Sequence, residues 1–420
     1  MAQVSFWGGV GVIGSSKILI EQDEWRVLLD FGLDYTPGSG LFRAGVHPRP
    51  GRELADRLRT GTAPRLPHVY RPEAVEGTGV PGGADGRTTL FISHAHLDHM
   101  GLTGFVDPGV PLFASPDTVR LLECLDRAGD RVEGGTPRMQ PMEEGEPVEA
   151  GPFRVRRFDV DHDVPGASGY AVETNDGVLA FTGDIRLHGR HPERSLNFAA
   201  QVAGCRALVI EGTTLSMGFR QPVRRESDVD DLFDQALAAT PGLVMVSLYP
   251  RNAERATAFM ERARRRGRQF LWPAQEARYL SDWLREPVPA WGDGGVAAAA
   301  IRSHPGDYVV QVSGHALPAL LDWGVGPGSV YLHANGEPLG PYDPLWAVMQ
   351  EWLQYLHVPF WSIGTGGHAS PDDLARLVEI VHPTILFPLH SQEPDRMIPP
   401  PGVRRWLPQR GAVYDLGGRS

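Results

Sequence analysis

The stretch TTLFISHAHLDHMG, residues 88–101, runs an apolar segment straight into four side chains able to bind metal: His94, His96, Asp98 and His99. Thr88 to Ser93 have the β-branched and aromatic character of a buried strand, and the glycine after Met100 closes the turn that follows. In an extended loop behind such a strand, His94 and His96 converge on one ion. Asp98 and His99, where the chain bends toward a helix, face a second. Neutral imidazole and carboxylate are donors that suit zinc, and two adjacent ions need this many donors from one loop.

The flanking sequence supports a rigid sheet behind that loop. Upstream, VSFWGGVGVIG (4–14), SKILIEQ (16–22) and EWRVLLDFG (24–32) read as short strands separated by Gly, Ser or charged turn residues. Downstream come VPLFAS (110–115), a helix around DTVRLLECLDRA (117–128), and FRVRRFDV (153–160) leading into Asp161 and His162. YAVET, VLAFTGD and RALVIEGTT follow as further strands. Strands that end repeatedly in His or Asp are a common way to fix a metal site. Between Leu33 and Asp85 the pattern dissolves into Pro, Gly and Arg, with one short helix at GRELADRLR. This reads as a surface excursion over the active site.

After residue 215 the periodicity changes. Val229, Leu232, Phe233, Ala236 and Leu237 mark an amphipathic helix behind a Ser227 or Asp228 cap. LVMVSL (243–248), QFLWP (269–273), DYVVQVS (307–313) and SVYLH (329–333) then alternate with a helix over 252–269 and with less regular segments. The helix PLWAVMQEWLQYLH closes the region. Strand–helix alternation predicts a smaller parallel α/β unit at 215–358, inserted between a first part at 1–214 and a last part at 359–420. The last part opens with SIGTGGHASPDDLARLVEIVHPTILFPLHSQEP, a Gly-rich loop, a helix and a strand ending in His390.

With 420 residues, 41% of them hydrophobic, two intertwined domains are expected. Cys124 and Cys205 are the only cysteines and sit in no metal-binding spacing, so the ligands must be His and carboxylate. MAQVSFWGGV has no basic start or long apolar run, and no apolar stretch is of membrane-spanning length. A soluble, cytoplasmic protein without membrane partners is therefore expected. The net charge of -11 argues against gripping nucleic acid over the whole surface, although a local basic strip and bound cations can still guide a phosphate backbone. A homo-oligomer is compatible with all of this.

HAHLDH resembles the HxHxDH signature of the metallo-β-lactamase superfamily. The resemblance implies an αββα sandwich and a third His ligand at His162. It also implies a bridging carboxylate at Asp184, behind the turn Thr182-Gly183, and a supporting Asp at Asp30. Within the superfamily the chain resembles the β-CASP group of nucleases, of the ribonuclease J kind. VIEGTT places Glu211 at the acidic motif before the insertion, GGHAS places His368 where the group has its catalytic His, and FPLH places His390 as the last metal ligand. A His at that last position accompanies RNA-cleaving members, whereas the DNA-processing branch carries Val.

The resemblance thus implies a ribonuclease holding two divalent ions, zinc or else manganese. His94, His96 and His162 would serve one ion, Asp98, His99 and His390 the other, with Asp184 between them. A water shared by the ions would attack phosphorus as hydroxide, Asp98 and Asp184 holding the catalytic ions in place. His368, oriented by Glu211, would give the leaving oxygen its proton. The Gly364–Gly367 loop would let backbone approach a phosphate, with the Ser370 hydroxyl nearby, and Ser370 also reads as a helix cap. The basic run at Arg262, Arg264, Arg265, Arg266 and Arg268 would reach a single-stranded RNA backbone, or else simply end a helix. His188, His191, His304, His315, His333, His357 and His382 read as packing or surface residues.

VSGHALPALLD (312–322) departs from ribonuclease J, where a Ser- and Pro-rich stretch builds a 5′-monophosphate pocket. No further C-terminal domain and no leading KH-type module are expected, so 5′ exonuclease action does not follow from the resemblance. The rival readings are a DNA nuclease of the Artemis-like branch, a lactone or thioester hydrolase, and an inactive nucleic-acid-binding scaffold.

Overall fold

The computed structural model describes residues 1–34, 41–42, 45–216 and 223–418. Among them the strands form two seven-stranded sheets and one five-stranded sheet. The first sheet runs in the order Val413–Asp415, Gln3–Gly8, Lys17–Gln22, Trp25–Leu29, Thr88–Phe91, Leu112–Ala114, Gln140–Pro141. The second runs Arg404–Arg405, Ile385–Leu389, Ala207–Glu211, Gly177–Phe181, Ser168–Thr174, Phe153–Asp159, Pro147–Ala150.

Alternation along the strands explains how these sheets stack. Val4, Phe6, Ile18, Ile20, Val27 and Leu29 point one way and meet Phe153, Val155, Val172, Leu179, Val209 and Phe387 of the other sheet in one buried cluster. Leu19, Leu28 and Leu90 point the opposite way. On the outer face of the second sheet, Leu208, Ile210 and Leu386 are covered by Phe198 of helix Pro192–Gln201 and by Leu374, Leu377 and Val381 of helix Pro371–Val381. The result is the expected sandwich with helices outside.

The segment expected to lie over the active site behaves differently. Leu54, Leu58, Leu66, Tyr70 and Val75 are buried against Leu19, Leu28 and Leu90, so the described part of this segment forms the outer layer of the first sheet. The short helix, at Glu53–Thr60, supplies two of those residues. Apolar side chains spaced through a Pro- and Gly-rich text escaped a reading based on periodicity. Residues 35–40 and 43–44 of this segment lie outside the described residues.

The five-stranded sheet, ordered Gln269–Leu271, Tyr308–Gln311, Val244–Leu248, Val330–Ala334, Phe360–Ser362, is parallel throughout. Val244, Val246 and Leu248 pack on one face and Met245 on the other, as a sheet covered on both sides requires. Three local expectations differ from the structure. The strand Phe360–Ser362 belongs to this sheet although it lies past 358. The helix after 225 starts at Glu226 rather than behind Ser227 or Asp228, because the Asp228 carboxylate reaches back to accept the Arg225 N–H at 2.8 Å. A helix at Ala274–Leu284 occupies a stretch expected to be irregular. No helix among the described residues is long and apolar enough to cross a membrane.

A buried ionic cluster joins this sheet's layer to the sandwich. Arg186 donates to Asp161 at 3.1 Å and to Glu226 at 2.9 Å, and Arg255 donates to the same Glu226 oxygen at 2.6 Å. The two guanidiniums also reach backbone oxygens of the loop before His368, Arg186 to Gly366 at 3.1 Å and Arg255 to Thr365 at 2.9 Å. All four charged side chains are at most 2% exposed. Removing one partner strands the others without compensation. Glu226→Ala should therefore lower unfolding stability by about 3–5 kcal/mol, measured by denaturant titration, whereas exposed Glu261→Ala should change it by less than about 1 kcal/mol.

Candidate metal centre

Five chain segments bring their ends together at one point. Strand Thr88–Phe91 delivers the HAHLDH loop, and Phe153–Asp159 leads to His162. Gly177–Phe181 leads to Asp184, Ala207–Glu211 ends in Glu211, and Ile385–Leu389 leads to His390. His94, His96, His162 and Asp184 offer donor atoms within 4.8 Å of one another; so do Asp98, His99 and His390, and so do Asp184, His368 and His390. Asp184 is therefore shared. Its Oδ2 lies 3.2 Å from His99 Nε2, 3.7 Å from His94 Nε2, and 3.9 Å from the Nε2 atoms of His162 and His390.

Backbone shape places these groups. Gly183 sits at φ 56, and a Cβ there would come within 2.7 Å of the Ser168 carbonyl, so glycine is needed beside Asp184. Asp30 and His390 hold left-handed φ values of 60 and 54 without being glycine, a local strain characteristic of functional sites. A Cβ on Gly32 would overlap the Asp98 backbone, and one on Gly14 would reach Asp98 Oδ2 at 2.8 Å. The segments flanking the early strands thus press directly on the HAHLDH loop.

Outer hydrogen bonds fix four of the rings in one sense. His99 Nδ1 meets Asp30 Oδ2 at 2.7 Å, and His162 Nδ1 meets the Gly367 carbonyl at 2.6 Å. His94 Nδ1 lies 2.9 Å from Ser93 Oγ, whose own hydroxyl donates to Asp30. His390 Nδ1 lies 2.8 Å from Thr213 Oγ1. With acceptors outside, each Nδ1 carries the proton and each Nε2 turns its lone pair inward.

That arrangement is what a cation requires. The Nε2 atoms of His99 and His390 face each other at 3.3 Å, and two donors on tetrahedral bonds of about 2.0–2.1 Å stand roughly that far apart. Asp184 is 1% exposed, yet neither of its oxygens has a hydrogen-bond partner, and His94 Nε2 has none either. Such groups are costly when buried and bare, so the donor set fits divalent metal.

His368 stands at the edge of the cluster. Its Nδ1 lies 3.2 Å from Glu211 Oε1 and 3.7 Å from Asp184 Oδ2, and its side chain is 23% exposed. Burial favours the neutral ring, but the carboxylates of Glu211 and Asp184 prevail and push its pKa up to about 10. The other oxygen of Glu211 accepts the Thr213 N–H at 3.0 Å, which fixes the carboxylate. Every metal and catalytic candidate read from the sequence thus lies in this cluster or touches it.

The remaining candidates have other partners. Gly367 lends its carbonyl to His162, and its missing Cβ leaves room for that ring. The Ser370 hydroxyl caps helix Pro371–Val381, accepting the Asp373 N–H at 3.1 Å. Arg262 pairs with Asp230 and Asp234, Arg265 with Glu261, and Arg268 donates to backbone carbonyls, while Arg264 and Arg266 are exposed where helix Ala253–Arg265 ends.

Other residues join the site without having been singled out. Asp163 lies 3.3 Å from both His96 and His162. From the end of strand Val244–Leu248, Tyr249 sets its ring edge-on to His96, and Arg251 donates to the Ala95 carbonyl at 2.8 Å. Asp163 was legible as the next residue after His162. Tyr249 and Arg251 were not, since only the packing of the five-stranded sheet brings them to the loop.

Comparison with known proteins agrees with this geometry. Residues 77–247 match a family described as the beta-lactamase superfamily domain. Ribonuclease J of Sinorhizobium meliloti is 27% identical over 204 residues, covering 47% of this chain and 36% of that protein. Ribonuclease J of Thermus thermophilus is 22% identical over 97% of this chain and 73% of its own length. The match spans 36% of the length of the Sinorhizobium relative and 43% of that of the Mycolicibacterium smegmatis one. A crystal structure of a protein of unknown function from Enterococcus faecalis V583 superposes with a TM-score of 0.84 at 26% identity, covering 98% of this chain and 99% of that one.

The outer hydrogen bonds generate a direct expectation. Asp30→Asn should weaken divalent-ion binding by about 10–100-fold, read as a smaller rise in melting temperature per added zinc, because His99 loses the carboxylate that orients its ring.

Proposed function

The chain belongs to the metallo-β-lactamase superfamily, in its ribonuclease J-like β-CASP branch, and from that premise we propose that it hydrolyses RNA phosphodiester bonds using two divalent ions, zinc or manganese. The observation that carries the reading is the buried, shared Asp184 with ligand groups on either side and the His368–Glu211 pair beside it. In this reading His94, His96 and His162 hold one ion, Asp98, His99 and His390 the other, and Asp184 lies between them. Two such ions, when bound, lower the pKa of a shared water and polarise the phosphoryl oxygen it attacks.

The chain's own groups supply the rest. Glu211 keeps His368 charged and aims its ring, and His368 gives a proton to the departing oxygen. RNA rather than DNA is favoured by the His at position 390, the feature shared with RNA-cleaving relatives. Arg264, Arg265 and Arg266, gathered at one helix end, offer cationic groups to the phosphate backbone. Gly367 and Ser370 are occupied by His162 and the helix cap, and are not assigned to substrate here. The domain division at 215–358, extended to Ser362 by the strand pairing, and a cytoplasmic location belong to the same reading.

Purified protein incubated with single-stranded RNA and DNA bearing hydroxyl, monophosphate or triphosphate 5′ ends should cut RNA only. A chelator should abolish cutting and added zinc or manganese restore it. Asp184→Ala should be inactive, and His368→Ala should lose about 10²–10⁴-fold in kcat while still binding metal. Cutting of DNA alone would shift the reading to the DNA-processing branch, and turnover of a lactone or thioester without nucleic-acid cleavage would replace it. Glu211→Gln removes the negative charge that raises the His368 pKa. The ring then loses its proton at lower pH, so the alkaline limb of the kcat profile should move to lower pH.

A further inference from the structure

We propose that Asp163 is a positioning residue of the metal centre, accepting the Nε2–H of His96 and thereby committing His96 to bind its ion through Nδ1. The inference rests on reading the cluster as a metal centre and on nothing about the substrate.

His96 is the one ring of the five around the loop that faces inward by the opposite nitrogen. The other four turn Nδ1 outward to Ser93, Asp30, Gly367 and Thr213 and Nε2 inward. For His96 it is Nδ1 that meets a neighbouring ligand atom, lying 3.4 Å from His162 Nε2, close to the 3.3 Å between His99 and His390. Its Nε2 therefore carries the proton and needs an acceptor outside. That nitrogen is buried and has no hydrogen-bond partner, and the carboxylate beside it is Asp163, whose Oδ1 is 3.3 Å away.

The partner of Asp163 is then decided by elimination. Oδ1 of Asp163 is itself buried and without a hydrogen bond, and it lies 3.3 Å from His162 Nε2 as well. His162, however, spends its only proton at Nδ1 on the Gly367 carbonyl, so its Nε2 has none to give. His96 is the sole donor of the two. Tyr249 borders the same ring edge-on with centroids 5.2 Å apart, which holds the imidazole plane while the carboxylate sets its rotation. The centre thus carries two carboxylate–histidine pairs: Asp30 with His99 on one ion, and Asp163 with His96 on the other.

The test uses the full-length protein. Zinc affinity is measured by competition with a chromophoric chelator, the ions are counted by elemental analysis, and nitrogen-15 correlation spectra of the zinc form report which nitrogen of His96 is bound. Asp163→Asn should weaken the ion held by His94, His96 and His162 by about 10–100-fold, leave the second ion in place, and let the His96 Nε2 proton exchange with water. Asp163→Glu, which keeps a carboxylate, should recover part of that affinity and supplies the answer if the Asn variant does not fold. An affinity within roughly twofold of wild type, or a His96 bound through Nε2, would overturn the proposal. Wild-type protein that binds no zinc would overturn the metal-centre reading instead, and this inference with it.

Discussion

Asp184 is a carboxylate sealed from water with neither oxygen hydrogen-bonded, and the fold is arranged around that fact. A buried bare anion is tolerable only beside compensating positive charge, and what surrounds Asp184 is a ring of imidazoles whose outward nitrogens are already satisfied. Neutral rings with lone pairs turned inward do not neutralise a carboxylate; they complete a shell for something that does. The five segments that end here each bring at least one polar group to the cluster, so the sandwich acts as a frame that holds anionic and lone-pair groups against their mutual repulsion. Backbone strain at Asp30 and His390, both non-glycine residues at left-handed φ, marks where the sheet ends turn sharply into the site.

The second constraint is mechanical. His368 reaches Glu211 from a loop that starts in the edge strand of the five-stranded sheet and finishes in a helix lying on the sandwich. Its backbone is tied at both ends, Ile363 N–H donating to the His333 carbonyl at 2.9 Å and Ala369 N–H to the Ile185 carbonyl at 2.6 Å. Arg186 from the sandwich and Arg255 from the other layer meet on Glu226 and donate to successive carbonyls of that loop, so the inserted layer and the sandwich position it together. Buried ion pairs of this kind add little net stability compared with apolar packing. Their value lies in direction, since a fully satisfied guanidinium accepts few alternative placements of the backbone it holds.

The sequence was most readable where chemistry is written locally. HAHLDH behind an apolar strand, FTGD, and FPLH each put donor and strand side by side, and the two sheets follow from simple alternation of apolar residues. Legibility fell where the cause is long-range. The segment after Leu33 hides Leu54, Leu58, Leu66 and Tyr70 among Pro and Gly at no fixed period, so only the complementary face of the first sheet reveals it as a packed layer. The start of the helix at Glu226 turned on Asp228 reaching back to Arg225, a choice among several acidic residues that local text could not rank. Tyr249 and Arg251 reach the metal loop through the packing of another sheet, and no motif marks them.

Part of the overall charge of -11 is concentrated in this one site. Asp30, Asp98, Asp163, Asp184 and Glu211 all lie within the cluster or one contact away, and a pair of divalent ions would offset four of those five charges. An anion entering a site so loaded would meet a locally balanced field, whatever the sign of the distant surface. Exposed arginines such as Arg264 and Arg266 supply local positive charge at a helix end, against the acidic balance of the chain as a whole.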